Sequence, residues 1–302
     1  MSVRFMQSAL SRWLSGAAIV LGLAMPVAAF ACDVRIGTLV ASPIAYDPFG
    51  MTPGEGSLRT TVDLVEGTDC EATVALVDDA SAPLRTIRFG DATRPLVYRI
   101  EVQPGDGVVA GLSPDLSTVR LTTARPRVTI VWRLLVDQDS VIAAGEYSRI
   151  VQAMLRTLDA ADTFSARSTL LLRSIARAQA NFAGTSSGFA SGTSAQAIDL
   201  GTLTTGEQRT AMLQVRANTV AHLLVVSANT GHLVGSDSGQ ARIPYGLAID
   251  GAPVDLSGPS SRTIAPPLTI DGVALELRVT VGEVAGMPSG RYSDTITIDV
   301  SP

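Results

Sequence analysis

Residues 290–300 alternate along their length. Tyr292, Ile296, Ile298 and Val300 fall on one parity, and Arg291, Ser293, Thr295, Thr297 and Asp299 on the other. That period of two predicts a strand with one apolar and one wet face, interrupted only by Asp294. An earlier copy lies at residues 145–155, beginning Gly145-Glu146-Tyr147-Ser148 against Gly290-Arg291-Tyr292-Ser293. Each copy follows a strongly apolar strand at the same offset, with Trp132 and Leu277 each 15 residues before the tyrosine. Leu58, Thr60, Val62 and Leu64 alternate in the same way, as do Ala72, Val74 and Leu76, and Leu275, Leu277, Val279 and Val281. Val128 to Val136 is apolar on both parities and predicts a central strand. Leu96-Val97-Tyr98 in the first half parallels Ile243-Pro244-Tyr245 in the second. Each half therefore shows about seven short strands separated by turn signals, the pattern of a β-sandwich. No long amphipathic helix is predicted. Residues 176–180 could pass for a helical turn, and the Gly/Ser-rich stretch Gly184 to Ser194 reads as a connection.

Composition narrows the class. The chain has 302 residues, 46% hydrophobic and 17% charged, enough for two packed domains of ordinary size. A net charge of −5 argues against a nucleic-acid partner, because phosphate neutralisation needs a basic patch. Residues 1–31 predict a secretory leader: Arg4 and Arg12, an apolar run from Leu14 to Met25, then Ala29-Phe30-Ala31 as a small-x-small cleavage site. A lipid-modified Cys32 is the alternative, although Phe30 fits a lipobox poorly. In an oxidising compartment the two cysteines, Cys32 and Cys70, predict one disulfide.

Several short motifs recur in a definite order. The first half carries Cys32, then Tyr46-Asp47-Pro48, Cys70 opening a strand, and Ala144-Gly145-Glu146-Tyr147-Ser148. The second carries Asp199-Leu200-Gly201-Thr202-Leu203, Val215-Arg216-Ala217-Asn218, Ser227 to Leu233, Ile243-Pro244-Tyr245 and the Gly-x-Tyr-Ser-Asp-Thr ending. Together they resemble the spore coat protein U domain family, the pilins of archaic, Csu-type chaperone–usher pili, over nearly all of the mature chain in two copies. The resemblance implies an all-β chain of two immunoglobulin-like pilin β-sandwich domains, expected at residues 32–160 and 161–302. It implies that the second is incomplete and receives a strand from a partner, by β-augmentation of an open edge. The implied partners are a periplasmic chaperone, an outer-membrane usher and a neighbouring pilin. Because the expected mature chain starts at Cys32, without the donor segment of an ordinary pilin, the resemblance places it at the pilus tip. The implied role is adhesion to an abiotic or host surface and biofilm formation, after export through the periplasm. A secreted carbohydrate-binding or coat protein is the competing expectation.

The candidate residues follow from these readings. Tyr292, Ile296, Ile298 and Val300 are expected to border the groove that receives the strand. Phe49 and Met51, in a Pro/Gly-rich loop, are candidates for surface contact, with packing under their own domain as the alternative for Phe49. Tyr147 and Tyr292, at the start of twin strands, suit corner positions with the hydroxyl tied to nearby backbone. His222 and His232 have no catalytic motif around them, and no His-Glu-x-x-His or phosphate-binding loop occurs. Asp78-Asp79 reads as a solvated turn rather than a calcium site. No enzyme activity, cofactor or metal is expected.

Overall fold

The structure is a computed structural model that describes residues 32–52, 54–91, 95–111, 113–136, 140–157, 163–183, 189, 195–236 and 240–302. The expected leader at 1–31 and most of the Gly184–Ser194 stretch lie outside them. The described residues are all-β, in four sheets, two from each half of the chain.

The first half opens with β1 (Asp33–Ile36), β2 (Val40–Ala41), β3 (Ile44–Tyr46), β4 (Glu55–Glu66) and β5 (Asp69–Val77). It continues with β6 (Thr86–Phe89), β7 (Leu96–Val102), β8 (Val108–Ala110) and β9 (Leu116–Thr122). It closes with β10 (Arg127–Val136), β11 (Gly145–Thr157) and β12 (Thr163–Ser174). One sheet runs β1-β4-β10-β7-β6, with β2 also on β4; the other runs β3-β12-β11-β5-β9-β8. All neighbours are antiparallel except β3 and β12, which are parallel. The apolar parity of each strand turns inward, so Trp132, Tyr98, Leu58, Leu76 and Leu121 are fully enclosed between the sheets. Cys32 and Cys70 are disulfide-bonded with Cα atoms 5.7 Å apart, tying the start of β1 to β5 in the opposite sheet. The bridge closes a sequence separation of 38. A chain-entropy estimate puts its contribution at roughly 3–4 kcal/mol.

The second half comprises β13 (Ala178–Phe182), β14 (Gln208–Ala217), β15 (Ala221–Ser227), β16 (His232–Gly235) and β17 (Arg242–Ile249). After these come β18 (Ala252–Val254), β19 (Ser260–Ile264), β20 (Val273–Val281), β21 (Tyr292–Ser293) and β22 (Ile296–Ser301). The larger sheet runs β13-β14-β20-β17-β16-β21, with β18 on β17, and the smaller runs β19-β15-β22. The internal repeat holds at the level of register. Tyr98 pairs with Val136 in the first half, and Tyr245 pairs with Val281 in the second. The expected helical turn near residue 178 is a strand instead, because Ala180 and Phe182 add to the edge of β14.

Two expectations about boundaries need correction. β12 was expected to open the second domain, after a division at 160/161. It instead pairs with β11 over twelve positions, from Gly145↔Ser174 to Arg156↔Thr163. Leu170 and Leu172 are buried in the first core, so strand pairing divides the halves at 175–177. The strand expected over 290–300 is also two pieces. β21 pairs with β16, and β22 pairs with β15 in the other sheet, the chain crossing between sheets at Asp294.

The halves meet at a polar joint. Asn218 is 0% exposed, and its Nδ2 donates to Ile175 O at 2.9 Å and Ser174 Oγ at 3.2 Å. Its Oδ1 accepts from Arg177 N at 2.8 Å, and its carbonyl accepts from Ala144 N at 2.9 Å. A buried amide with donors and acceptors all engaged fixes one geometry.

Candidate functional site

A large cleft lies in the second half, with a volume of about 1750 Å³. Its floor is apolar: Leu213 from β14, Tyr245 and Leu247 from β17, and Leu277 and Val279 from β20. One wall is β13 with Ala180 and Phe182, together with the segment 195–203. The other wall is the chain from Met287 to Val300. All four residues expected at a groove border, Tyr292, Ile296, Ile298 and Val300, line this cleft. They are only half-buried, although they sit on the core-facing parity and touch the second core.

The backbone explains why they are half-buried. β22 pairs with β15 from His222↔Ser301 to Ser227↔Ile296. Its opposite edge has no strand partner among the described residues. Its twin β11 has two partners, β5 on one side and β12 on the other. Superposing the repeat on its tyrosines places Ile296, Ile298 and Val300 at the positions of Val151, Ala153 and Leu155, all fully enclosed in the first half. The cleft is thus the space that β12 fills in the first half. A strand placed there would finish burying three aliphatic side chains, worth roughly 0.5–1 kcal/mol each at most for the part still exposed.

Asp294 holds the mouth of the cleft. Its Oδ2 accepts from Tyr245 OH and Ser227 Oγ, both at 2.6 Å. Its Oδ1 accepts from Asn229 N at 3.0 Å and Asn229 Nδ2 at 2.9 Å. Burial, and then the Asp294 carboxylate, hold the Tyr245 phenol above its ordinary range. The corner expectation is met at both tyrosines: Tyr147 OH donates to Ala143 O at 2.9 Å, and Tyr292 OH to Pro288 O at 2.7 Å. Each hydroxyl reaches back four residues and pins the entry to its strand.

The surface-contact candidates lie elsewhere. Phe49 is 7% exposed, with the Arg216 guanidinium of the second half stacked 4.7 Å from its ring centroid. As a residue of an exposed contact surface it is corrected: the loop sits at the joint between halves, where Asp47 also pairs with Arg177 at 2.8 Å. Met51 is 89% exposed but belongs to the same joint-side loop. Among the described residues, the loops 66–69, 103–107 and 122–126 lie at the opposite end of the strands, toward the disulfide.

The remaining polar candidates have structural partners. Asp78 Oδ1 accepts from Ala80 N and Ala82 N and shapes its turn. His222 is exposed at the second position of β15, and His232 Nδ1 lies 3.0 Å from Thr230 O. Among the described residues no group of three His, Cys, Asp or Glu is placed to hold a metal. The single tryptophan after residue 31, Trp132, is enclosed in the first core, so it offers no stacking face. Four features escaped the sequence reading: β12 as the filler of the first half, the Asp294 hub, Asn218 at the joint, and the wall at 195–203. The run Leu170-Leu171-Leu172 is visible as an apolar strand, but it carries no sign of the half that it fills.

No family model matches the chain, and no curated protein matches it. Solved structures do. The chain is similar to the CsuC–CsuE chaperone–tip adhesion subunit pre-assembly complex from the archaic chaperone–usher Csu pili of Acinetobacter baumannii, at 10% identity and TM-score 0.39, over 78% of this chain and 85% of that one. It is similar to the CFA/I adhesin CfaE of enterotoxigenic Escherichia coli, at 10% identity and TM-score 0.40, over 76% of this chain and 81% of that one. It is similar also to the CupB6 tip adhesin from Pseudomonas aeruginosa, at 11% identity and TM-score 0.36, over 90% of this chain and 94% of that one.

Proposed function

We propose that this chain is a tip subunit of a chaperone–usher pilus, exported through the periplasm to the cell surface. Its second half accepts a strand in trans, first from a periplasmic chaperone and then, at the outer-membrane usher, from the neighbouring pilin. Its first half, already filled by β12, faces outward and makes the contact that serves adhesion and biofilm formation. The observation that carries this reading is the pair of twin strands. β11 has a strand on both edges, whereas β22 has one on a single edge and an apolar cleft beside the other. An edge strand with an apolar face is a docking site for an alternating peptide, whose backbone supplies affinity and whose side chains supply fit. A carbohydrate-binding module would present exposed aromatic faces, and the enclosure of Trp132 gives that alternative no support.

The test uses the chain's own filler strand. Residues 32–302 are expressed as they stand, and again extended past Pro302 by a flexible linker and a second copy of residues 163–174. The extended chain is expected to be a soluble monomer, and the unextended chain to aggregate unless a chaperone is co-expressed. An unextended chain that is soluble, monomeric and as heat-stable as the extended one would falsify the strand-accepting reading.

A further inference from the structure

The crossover that Asp294 closes in the second half stays open in the first. With the twin tyrosines superposed, Asp294 falls on Arg149. The ladder of β11 on β5 ends at Gln152↔Val77, so the next residue, Asp78, takes the place of Ser227, which pairs with Ile296. The match extends into the turn that follows. Ala82 N donates to Asp78 Oδ1 and Gly231 N to Ser227 Oγ, each at 2.8 Å and each from four residues on. In the second half the Asp294 carboxylate bonds to Ser227 and ties turn to strand. In the first half a guanidinium and a carboxylate hold the two places without pairing. Asp78 Oδ1 is taken up by its own turn, and Arg149 Nε donates to Arg88 O at 2.9 Å. A groove of about 490 Å³ lies between the turn, β6 and β11. Its polar lining comes from Asp78, Asp79, Thr86, Arg88, Ser148 and Arg149.

We propose that this groove binds a uronic acid unit of an acidic polysaccharide, which gives the adhesive contact of the first half a site and a ligand class. The adhesive role rests on the tip-subunit reading; the binding itself does not. Arg149 stands on the core-facing parity of β11, with Val151 and Ala153, yet it is exposed and lines the groove. Among the described residues neither Arg88 nor Arg149 pairs with a carboxylate. Two guanidinium groups beside one groove offer the planar forks that a ligand carboxylate takes in bidentate form. β6 is the edge of its sheet, and Arg88 O faces Arg149, so the Arg88 N–H on that same edge is a further donor. The Asp79 carboxylate accepts from ring hydroxyls, and the hydroxyls of Thr86 and Ser148 both donate and accept. Ile150 is 47% exposed and meets the C–H face of a sugar ring. Two aspartates offset two arginines, so a bare anion gains little here. A ligand gains most when it carries a carboxylate and hydroxyl donors together. The volume suits a short saccharide rather than a single ion. Recognition by charge and hydroxyl contacts calls for no exposed aromatic face.

Calorimetric titration of residues 32–302, in whichever form of the preceding experiment is soluble, tests the groove. The probes are the trisaccharides of galacturonate and of mannuronate, with their neutral counterparts, galactotriose and mannotriose. At least one uronate is expected to bind, about tenfold or more tightly than its neutral counterpart. Arg88→Gln and Arg149→Gln are each expected to weaken that binding about tenfold. Asp79→Asn is expected to weaken it as well, through the lost hydroxyl contacts. Arg88 is exposed on β6, so its variant reads the groove even if loss of the Arg149–Arg88 bond loosens the other. Failure of both uronates to bind overturns the proposal, as does binding that none of the three variants changes. Equal competition by inorganic phosphate, or tighter binding by Asp79→Asn, would show an anion site without sugar recognition and overturn it too. So would tighter binding of an alternating Val-Glu peptide, which would make the groove a peptide edge on β6. Each of these outcomes reads the first half alone and leaves the strand-accepting reading of the cleft to its own test.

Discussion

At the scale of single residues, Asp294 shows how far a sequence carries and where it stops. A carboxylate in an apolar row is visible as a break. Its partners are not visible, because Ser227, Asn229 and Tyr245 come from 49 to 67 residues away and are chosen by strand pairing. Replacing it leaves a buried phenol, a hydroxyl and an amide without an acceptor. Asp294→Ala, made in the extended chain, is expected to cost about 2–4 kcal/mol, read as a lowered midpoint in denaturant. A change under about 0.5 kcal/mol would mean that water replaces the carboxylate freely. Phe49 misled for the converse reason: an aromatic ring in a Pro/Gly loop reads as exposed when the surface covering it belongs to the other half. The buried tyrosines set a pH limit. Burial and then Asp47 push Tyr46 up to about 12, and burial raises Tyr98 and Tyr245 as well. A phenol held above its unfolded value contributes stability that is complete below about pH 10 and is lost as pH rises through the folded value. Denaturant midpoints measured across that range, in a chain carrying Tyr147→Phe and Tyr292→Phe so that only the buried phenols absorb, are expected to fall from about pH 10 upward, with tyrosinate absorbance appearing only as the chain unfolds. Tyrosinate appearing near pH 10 in a chain that stays folded would show these phenols to be open to solvent.

At the scale of elements, strand identity was legible and partnership was not. The period of two over 58–64, 72–76, 273–281 and 292–300 returns as β4, β5, β20 and β21–β22. β12 has the same local pattern whichever sheet it joins, so nothing within residues 163–174 says that it belongs with β11. What decides is the open edge of β11 and the core places for Leu170 and Leu172. Fragments separate the two divisions. Residues 32–160 are expected to aggregate, because β11 is left with an open edge and an unfilled core. Residues 32–176, which retain β12, are expected to give a soluble monomer with a cooperative melt. Equal behaviour of the two fragments would remove β12 from its role as the filler.

At the scale of the molecule, the repeat makes the first half a template for the second. β11 has a strand on both edges, and β22 has one on a single edge with an apolar cleft beside the other. Asn218 and the Arg216–Phe49 stack join the halves with satisfied buried contacts, so a pull on the second half passes to the first through a defined joint. The template also fixes a register. Ala153 faces Ala166 across the β11–β12 ladder, and Ile298 occupies the place of Ala153. A strand entering the cleft in that register puts its Ala166 position opposite Ile298, with Cβ atoms about 4.5–5.5 Å apart, near enough for a disulfide after small adjustment. The decisive measurement is disulfide trapping in the extended chain, with Ile298→Cys combined with a cysteine at the Ala166 position of the added copy. A filled cleft gives rapid, near-complete cross-linking at that position and little when the cysteine is moved to the neighbouring Arg167 position, which points to the other face. Cross-linking at both positions alike, or at neither, would contradict a cleft built to take an antiparallel strand.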